Sequence, residues 1–311
     1  MTTEYIIKDM DTPHILIIGA GELGQALAGH LRPKGVVSLW DVDPSKTPGQ
    51  KPQPLSKVIP AADFVLLCVP SWAVRSVLSS AVSVLRPTTV VVSLSKGMMD
   101  AAMGQVMGEL LPQLLVKNQP FAVVGGPMLA TEIAKGLRAA AVFASPDEKV
   151  AERVAELFRS PVFMAETSDD VTSVSFAGVL KNIYAVALGI ADGLGLDGNA
   201  KGWIVARATN EMLAIAEALN VDKQVILGTA GLADFIATAY SPYSRNREVG
   251  DEIAKSGKCN LKGEGNVSIP SLMARLGAGA SKFPLLNAIK KIAIDCEPAK
   301  PLMDTYLLKK D

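Results

Sequence analysis

Short apolar runs alternate with amphipathic stretches through the first half of the chain. The runs at 14–20 ("HILIIGA"), 36–41 ("VVSLWD"), 64–70 ("FVLLCVP"), 89–95 ("TVVVSLS") and 121–127 ("FAVVGGP") are rich in β-branched residues. Most end in Gly, Pro, Ser or Asp, so each predicts a buried strand. Between them, "LGQALAGHLRP", "WAVRSVLSSAVSVLR" and "MGQVMGELLPQLL" carry apolar residues at helical spacing. Strand and helix alternating this often predict a parallel, doubly wound sheet. "RAAAVFASP" (138–146), a helix at 148–160 and "PVFMAET" extend it.

After about residue 170 the texture changes. Long Ala/Leu/Ile-rich patterns at 170–191, 199–220, 223–238, 244–256, 265–277 and 281–294 predict helices, with Gly and Pro in the joints. The expected organisation is an α/β domain over 1–169 followed by an all-α domain over 170–311, and 311 residues suffice for two cores.

Composition is ordinary for a globular protein, with 49% hydrophobic and 20% charged residues, which argues against disorder. Lys plus Arg and Asp plus Glu both number 31, and no dense basic run could track a nucleic acid or an anionic bilayer. An anion bound here is expected to be small and held locally. Cys68, Cys259 and Cys296 are widely spaced and lack metal-ligand spacing, so reduced thiols and no metal site are expected. The start, "MTTEYIIKDMDTPH", has no basic stretch leading into an apolar one. No uninterrupted apolar segment reaches the roughly 18 residues of a membrane span. The expectation is a soluble cytoplasmic protein without stable membrane insertion.

"ILIIGAGELGQAL" carries the chemistry of the first half. Gly19-Ala20-Gly21-Glu22-Leu23-Gly24 lies between a predicted strand and a predicted helix. In that context Gly19 permits the tight turn, Gly21 lets a pyrophosphate approach the backbone, and Gly24 lets helix and strand pack. The fold class is therefore a Rossmann-like doubly wound sheet followed by a helical domain. The next strand ends in Asp41, where a carboxylate accepts from ribose hydroxyls and repels a 2′-phosphate, favouring NAD over NADP. Asp43 or Lys46 could reverse that preference.

His14 and His30, the two histidines, both lie in the nucleotide-binding unit, so a lysine or carboxylate must handle a substrate proton. Lys181, beside Asn182 in "FAGVLKNIYAVALGIADGLG", is an ammonium on an otherwise apolar helix. Desolvation lowers its pKa toward the range of a general base, while snorkelling or an interdomain ion pair would be a structural alternative. Asp234 and Thr238 are one helical turn apart and share a face. Ser244-Arg245-Asn246 opens a new helix, where amides and a guanidinium suit a phosphate monoester; a solvated cap is the alternative.

Together, "GAGELG", "VPSWAVRSVL", "SLSKGM", "GGPMLATEIAKG", "GVLKN", "GIADGLGLDGNAK", "GLADFIAT", "SPYSRNR" and "LKGEG" resemble the NAD(P)-dependent glycerol-3-phosphate dehydrogenases over nearly the full chain. The resemblance implies interconversion of sn-glycerol 3-phosphate and dihydroxyacetone phosphate, which supplies glycerol for phospholipids. It implies Lys181 as proton acceptor, Lys96 in contact with substrate and nicotinamide, and Asp234 as the third member of the catalytic group. Gly126, Asp234, Ser244, Arg245 and Asn246 match substrate-binding positions, and Thr238, which shares a face with Asp234, is expected at the substrate beside Lys96 and Lys181. Lys96, Ala130, Arg245 and Glu264 match cofactor-binding positions and join Gly19, Gly21, Glu22, Leu23, Gly24, Asp41 and Lys262 as expected cofactor residues, although Glu22-Leu23 replaces the small polar and aromatic pair of the bacterial branch and Asp41 stands where other members have a neutral or basic residue. Met128 departs from the Ser or Asn common in the "GP" turn. NAD is the expected cofactor, with NADP open, and the expected partners are a phosphorylated three-carbon substrate and a second copy in a homodimer. A related dehydrogenase of a hydroxy acid or opine, or a non-catalytic nucleotide sensor, are the competing readings.

Overall fold

Strands without polar positions must be covered on both faces, and the alternation of side chains divides each strand between two cores. The computed structural model describes residues 12–49, 51, 53–99 and 104–308. The extreme N-terminus, read above for a leader pattern, lies outside the described residues up to position 11. The strands are β1 (His14–Ile18), β2 (Val36–Trp40), β3 (Phe64–Leu67), β4 (Val90–Ser93), β5 (Met98–Met99), β6 (Gln105–Val106), β7 (Phe121–Gly125), β8 (Ala139–Ala144) and β9 (Phe163–Ser168). Seven of them form one sheet in the order β2-β1-β3-β4-β7-β8-β9. The helices of this half are α1 (Glu22–Leu31), α2 (Leu55–Val58), α3 (Ser71–Ala81), α4 (Met107–Leu114), α5 (Ala130–Ala134) and α6 (Glu148–Phe158). Ile15 and Ile17 enter one core with Leu27, Val154 and Phe158. Leu16 and Ile18 face the other, with Val74, Leu78 and Leu110.

The doubly wound sheet is present but not wholly parallel, because β7 pairs antiparallel with β8. The short α5 between them does not carry the chain back across the sheet, so the strand returns in the opposite direction. The predicted helix at 103–115 also begins later than its pattern suggests: Gln105 and Val106 pair with β5, and α4 starts at Met107.

The helical half comprises α7 (Val171–Gly193), α8 (Gly198–Ala218), α9 (Lys223–Leu227), α10 (Asp234–Tyr240), α11 (Arg245–Ser256), α12 (Glu264–Leu276), α13 (Pro284–Ala293) and α14 (Ala299–Leu308). The single helix predicted at 223–238 is broken at Gly228, and a π turn over Thr229–Ala233 leads into α10. α13 starts at Pro284, which fits its first turn because that position needs no amide. The helical pattern of α14 is disguised by its short length, by Pro298 just before it and by Pro301 in its first turn.

α7 is 23 residues long with a mean hydropathy of 1.6, enough by length and composition to cross a membrane. Lys181 and Asn182 interrupt its apolar run, and its most apolar stretch is entirely buried inside the protein, as in a core helix. Val174, Ala177 and Leu180 of α7 share a core with Val123 and Ala144 of the sheet, so the two halves are joined by apolar packing. A correction concerns the thiols. Cys259, before α12, and Cys296, after α13, are paired as a disulfide with Cα atoms 6.1 Å apart, because the two helix-flanking loops converge. Cys68 remains unpaired, and burial pushes its thiol up to about 12.

Glycines set the crossing of α7 and α11. A Cβ on Gly189 would lie 2.0 Å from the Arg247 carbonyl oxygen, and one on Gly250 would lie 2.2 Å from that of Val186. Gly189→Ala is expected to cost about 2 kcal/mol by overpacking. Gly202→Ala on α8, with nothing within 4 Å, should gain roughly 0.5 kcal/mol from helix propensity. Urea unfolding of both variants checks the pair; equal midpoints would show that the crossing has slack.

Candidate active site

The fingerprint forms the expected turn. Gly19 has φ +104°, and a Cβ there would meet the Cys68 carbonyl oxygen at 2.6 Å; a Cβ on Gly24 would meet Gly19 O at 2.0 Å. Gly21, by contrast, faces open space, with nothing within 4 Å of a built Cβ. It begins α1 without a side-chain cap, so the first amides of this helix remain available to an anion. Glu22 is the first residue of α1 and Leu23, partly buried, packs on the adjoining core. Asp41 stands beside the turn, its Oδ2 accepting from Ala20 N–H at 2.8 Å and its Oδ1 from Asp43 N–H at 2.9 Å. Lys46 approaches it to 3.9 Å. Asp41 lines a groove of about 460 Å³ with Trp40, Val42 and Lys51.

Carboxyl ends of strands deliver the other residues of the sheet half. Lys96 follows β4, and Gly126 follows β7 with φ +117°. The Lys96 stem lies over Gly178 of α7, where a Cβ would come within 3.2 Å of it. Lys96 Nζ donates to the Gly126 carbonyl and to Asp234 Oδ2, both at 2.7 Å. One turn along α7 from Gly178, Lys181 donates to Thr238 Oγ1 at 3.0 Å and pairs with Asp234 Oδ1 at 3.0 Å. One carboxylate therefore bridges two ammonium groups, all three largely removed from water. An ammonium has three donors, so this arrangement uses two of each lysine's and leaves one.

The electrostatics follow from that geometry. Burial lowers the Lys181 pKa below its ordinary value and the Lys96 charge adds to this, while Asp234 opposes it without prevailing. For Asp234 burial alone would favour the neutral acid, but the charges and hydrogen bonds of Lys181 and Lys96 win and hold the carboxyl below 3.8. The cluster carries one net positive charge, suited to an anionic ligand.

The phosphate candidates sit at the start of α11. Ser244 is its cap, with Oγ accepting from Arg247 N–H at 3.3 Å. Arg245 is half exposed; it pairs with Glu248 at 2.7 Å and donates to the Lys262 carbonyl at 3.4 Å. Asn246 is committed to a bracket: it donates to Asn182 Oδ1 at 2.8 Å and accepts from Gly265 N–H at 2.9 Å. Asn182 in turn donates to the Lys96 carbonyl at 2.8 Å. Lys181, Thr238, Ser244, Arg245 and Asn246 share a cavity of about 180 Å³ with Glu22, Met128 and Ala130 from the sheet half. Asp41, Lys262 and Glu264 are not among its lining residues. Met128 is buried in the core of the sheet half.

Two parts of the site escaped the sequence pattern. Arg247 grips Asp192 through Nε and Nη2 and donates to the Ser241 carbonyl at 2.8 Å, fixing α11 against the end of α7. Ser71, at the start of α3, donates both its amide and its hydroxyl to Glu264. Each pair is far apart in sequence; only the position of Ser71 at a strand-to-helix turn hinted at it.

Family models described as the C-terminus and the N-terminus of NAD-dependent glycerol-3-phosphate dehydrogenase match residues 170–304 and 50–151. A glycerol-3-phosphate dehydrogenase [NAD(P)+] of Sphingopyxis alaskensis is 33% identical over 300 residues, covering 88% of this chain and 90% of that protein. One of Thermobifida fusca is 32% identical over 305 residues, with coverage of 88% and 90%. The crystal structure of glycerol-3-phosphate dehydrogenase from Coxiella burnetii superimposes with a TM-score of 0.85 at 26% identity, covering 96% of this chain and 99% of that one.

The sign of the Asp234 shift makes a prediction. With its folded pKa depressed, the carboxyl binds fewer protons folded than unfolded, so its stabilising contribution is complete above the ordinary value of 3.8 and is lost as pH falls through the lower folded value. Asp234→Asn is expected to lose about 3 kcal/mol at pH 7, by stranding two buried ammonium groups. The gap from the native protein should narrow as denaturation is repeated toward pH 3. A gap independent of pH would show that Asp234 is not ionised in the folded state.

Proposed function

Because the chain belongs to the NAD-dependent glycerol-3-phosphate dehydrogenase family, we propose that it interconverts sn-glycerol 3-phosphate and dihydroxyacetone phosphate with NAD(P) and feeds glycerophospholipid synthesis. The observation that carries this reading is the cavity in which Lys181 and Arg245 meet Glu22 and Ala130. It puts a candidate proton-transfer group, a guanidinium and the start of the dinucleotide fingerprint around one small space. A hydroxy acid or opine dehydrogenase or a silent sensor is not favoured by the relatives.

The fingerprint fits a dinucleotide: Gly21 has no neighbour where a pyrophosphate would approach, and the α1 amides lack a side-chain cap. Gly19, Gly21, Glu22, Leu23, Gly24 and Asp41 would hold the adenosine diphosphate half, and Lys96, Ala130, Arg245, Lys262 and Glu264 the remainder. A bound nicotinamide supplies or takes up the hydride at the substrate carbon. Lys181 handles the proton on the oxygen of that carbon. As an ammonium its third donor gives the proton in reduction; as a neutral amine it accepts one from the hydroxyl in oxidation. Asp234 and Thr238 hold its nitrogen in place, and burial with Lys96 eases the proton off. Arg245, Ser244 and Gly126 position the phosphorylated substrate, so much of the rate comes from orientation.

NAD is the proposed preference, supported by Asp41 at the end of β2, with Lys46 at 3.9 Å as the feature that moderates it. A homodimer is the proposed assembly, supported by exposed Ile236 and Tyr240 on α10, and the cytoplasm is the proposed location.

Mixing the protein with dihydroxyacetone phosphate and NADH or NADPH, then following nicotinamide absorbance, tests reaction and coenzyme together. Turnover faster with NADH is expected; none with either would overturn the reading. Lys181→Ala should lower kcat by roughly 10³-fold with NADH affinity unchanged. Near-native turnover would remove its role. In the native enzyme, oxidation should rise with pH through the lowered Lys181 pKa and reduction should fall through the same range. Arg245→Ala should raise the KM for dihydroxyacetone phosphate by about 100-fold; an unchanged KM would place the phosphate elsewhere.

A further inference from the structure

Glu264 is the first residue of α12, but its carboxylate serves another helix. Oε1 accepts the Ser71 amide at 2.7 Å, and Oε2 accepts the Ser71 hydroxyl at 2.6 Å. Ser71 begins α3 in the sheet half, so the link spans the boundary with the helical half. The carboxylate lies at the positive ends of two helices, one from each half. Among the described residues no cation pairs with it, and burial raises its pKa despite the two hydrogen bonds from Ser71. A carboxylate kept in such surroundings is costly unless its position matters.

Gly97 shows what that position controls. A Cβ there would lie 2.0 Å from Glu264 Oε2 and 2.2 Å from Ser71 Oγ, so the backbone closes directly on the pair. Lys96 immediately precedes it, with Nζ on Asp234 and Gly126, and Asn182 holds the Lys96 carbonyl from the other side. Ser71 also belongs to the strand end that cradles the fingerprint, since Gly19 packs against Cys68 and Val69 of the same loop.

Resting on the dehydrogenase reading above, we propose that Ser71 is a positioning residue of the site: it holds Glu264 across the two halves and thereby seats Gly97 and the neighbouring Lys96 against the cofactor. Its hydroxyl acts through Glu264. Ser71→Ala removes the hydroxyl bond but keeps the amide bond, so the carboxylate is held through one oxygen instead of two.

The test is a double-mutant cycle on the full-length enzyme, with NADH affinity from protein fluorescence quenching and turnover of dihydroxyacetone phosphate. Ser71→Ala should weaken NADH binding roughly tenfold, the scale of one hydrogen bond to a charged group. Ser71→Thr should restore it to within about twofold, since the hydroxyl returns. Ser71→Ala combined with Glu264→Leu should be no worse than Glu264→Leu alone, because the hydroxyl works only through the carboxylate and leucine leaves it no partner. Ser71→Cys, similar in volume but a weak donor, replaces the alanine variant if that one fails to fold, and should show the same defect. Native affinity in the Ala or Cys variant, or losses that multiply in the double variant, would overturn the proposal. Failure of the unaltered protein to bind NADH or turn over substrate would instead overturn the functional reading itself.

Discussion

One carboxylate bridging two ammonium groups is the constraint on which the rest of the site depends. Asp234 holds Lys96 from the sheet half and Lys181 from α7 at hydrogen-bond distance, with its own side chain almost wholly buried. Neither lysine would be tolerable there alone, since a desolvated ammonium without a counter-charge loses its proton or unfolds its surroundings. With both present, the carboxylate is pinned in its ionised form, and the surplus positive charge is left for a ligand. The same arrangement makes Lys181 the titrating member: burial and the Lys96 charge pull its pKa down against the attraction of Asp234. Structural pairing and the proposed proton transfer would therefore be two consequences of the same contact.

Keeping that triad beside the phosphate candidates is a packing problem, solved by α7. Gly178, Lys181, Asn182 and Gly189 all lie on this helix, and each meets a different partner: the Lys96 stem, Asp234, the Asn246 amide and the Arg247 carbonyl. Glycine at the α11 crossing allows backbones to touch, and the Arg247 to Asp192 grip prevents α11 from sliding along the seam. The Asn182 to Asn246 to Gly265 chain then ties the Lys96 backbone, the start of α11 and the start of α12 into one polar bracket. Asn246, expected as a substrate contact, shows this economy: both ends of its amide are already engaged, leaving one N–H and one lone pair for anything else.

How much of this could be read in the sequence depended on distance along the chain. The fingerprint, the strand periodicity and the odd lysine in an apolar helix are local patterns, and they locate β1, α1 and α7. Asp234 and Thr238 were also visible as a one-turn pair, though the break at Gly228 was not, because a π turn leaves no distinctive spacing. The antiparallel β8 was missed since strand direction is set by the length and path of the connection, not by the strand residues. The links Ser71 to Glu264 and Cys259 to Cys296 were illegible for the same reason: each joins segments brought together only by the folded backbone. The family resemblance supplied Glu264 as a position without saying what holds it.

The proposed coenzyme preference follows the same logic of shared duties. The sequence pattern makes Asp41 a ribose acceptor that repels a 2′-phosphate, and in the structure each of its oxygens already accepts a backbone amide, from Ala20 and Asp43. A carboxylate oxygen has more than one lone pair, so both duties are compatible, and the bond to Ala20 presses the acidic group against the fingerprint turn itself. Lys46 sits close enough to reduce the repulsion but too far for a direct hydrogen bond, and its side chain is half exposed, where water weakens its field. Discrimination at this corner is therefore set by the difference between a fixed, largely buried anion and a mobile, hydrated cation. In the proposed preference the fixed charge outweighs the hydrated one, which is the physical ground for proposing NAD ahead of NADP.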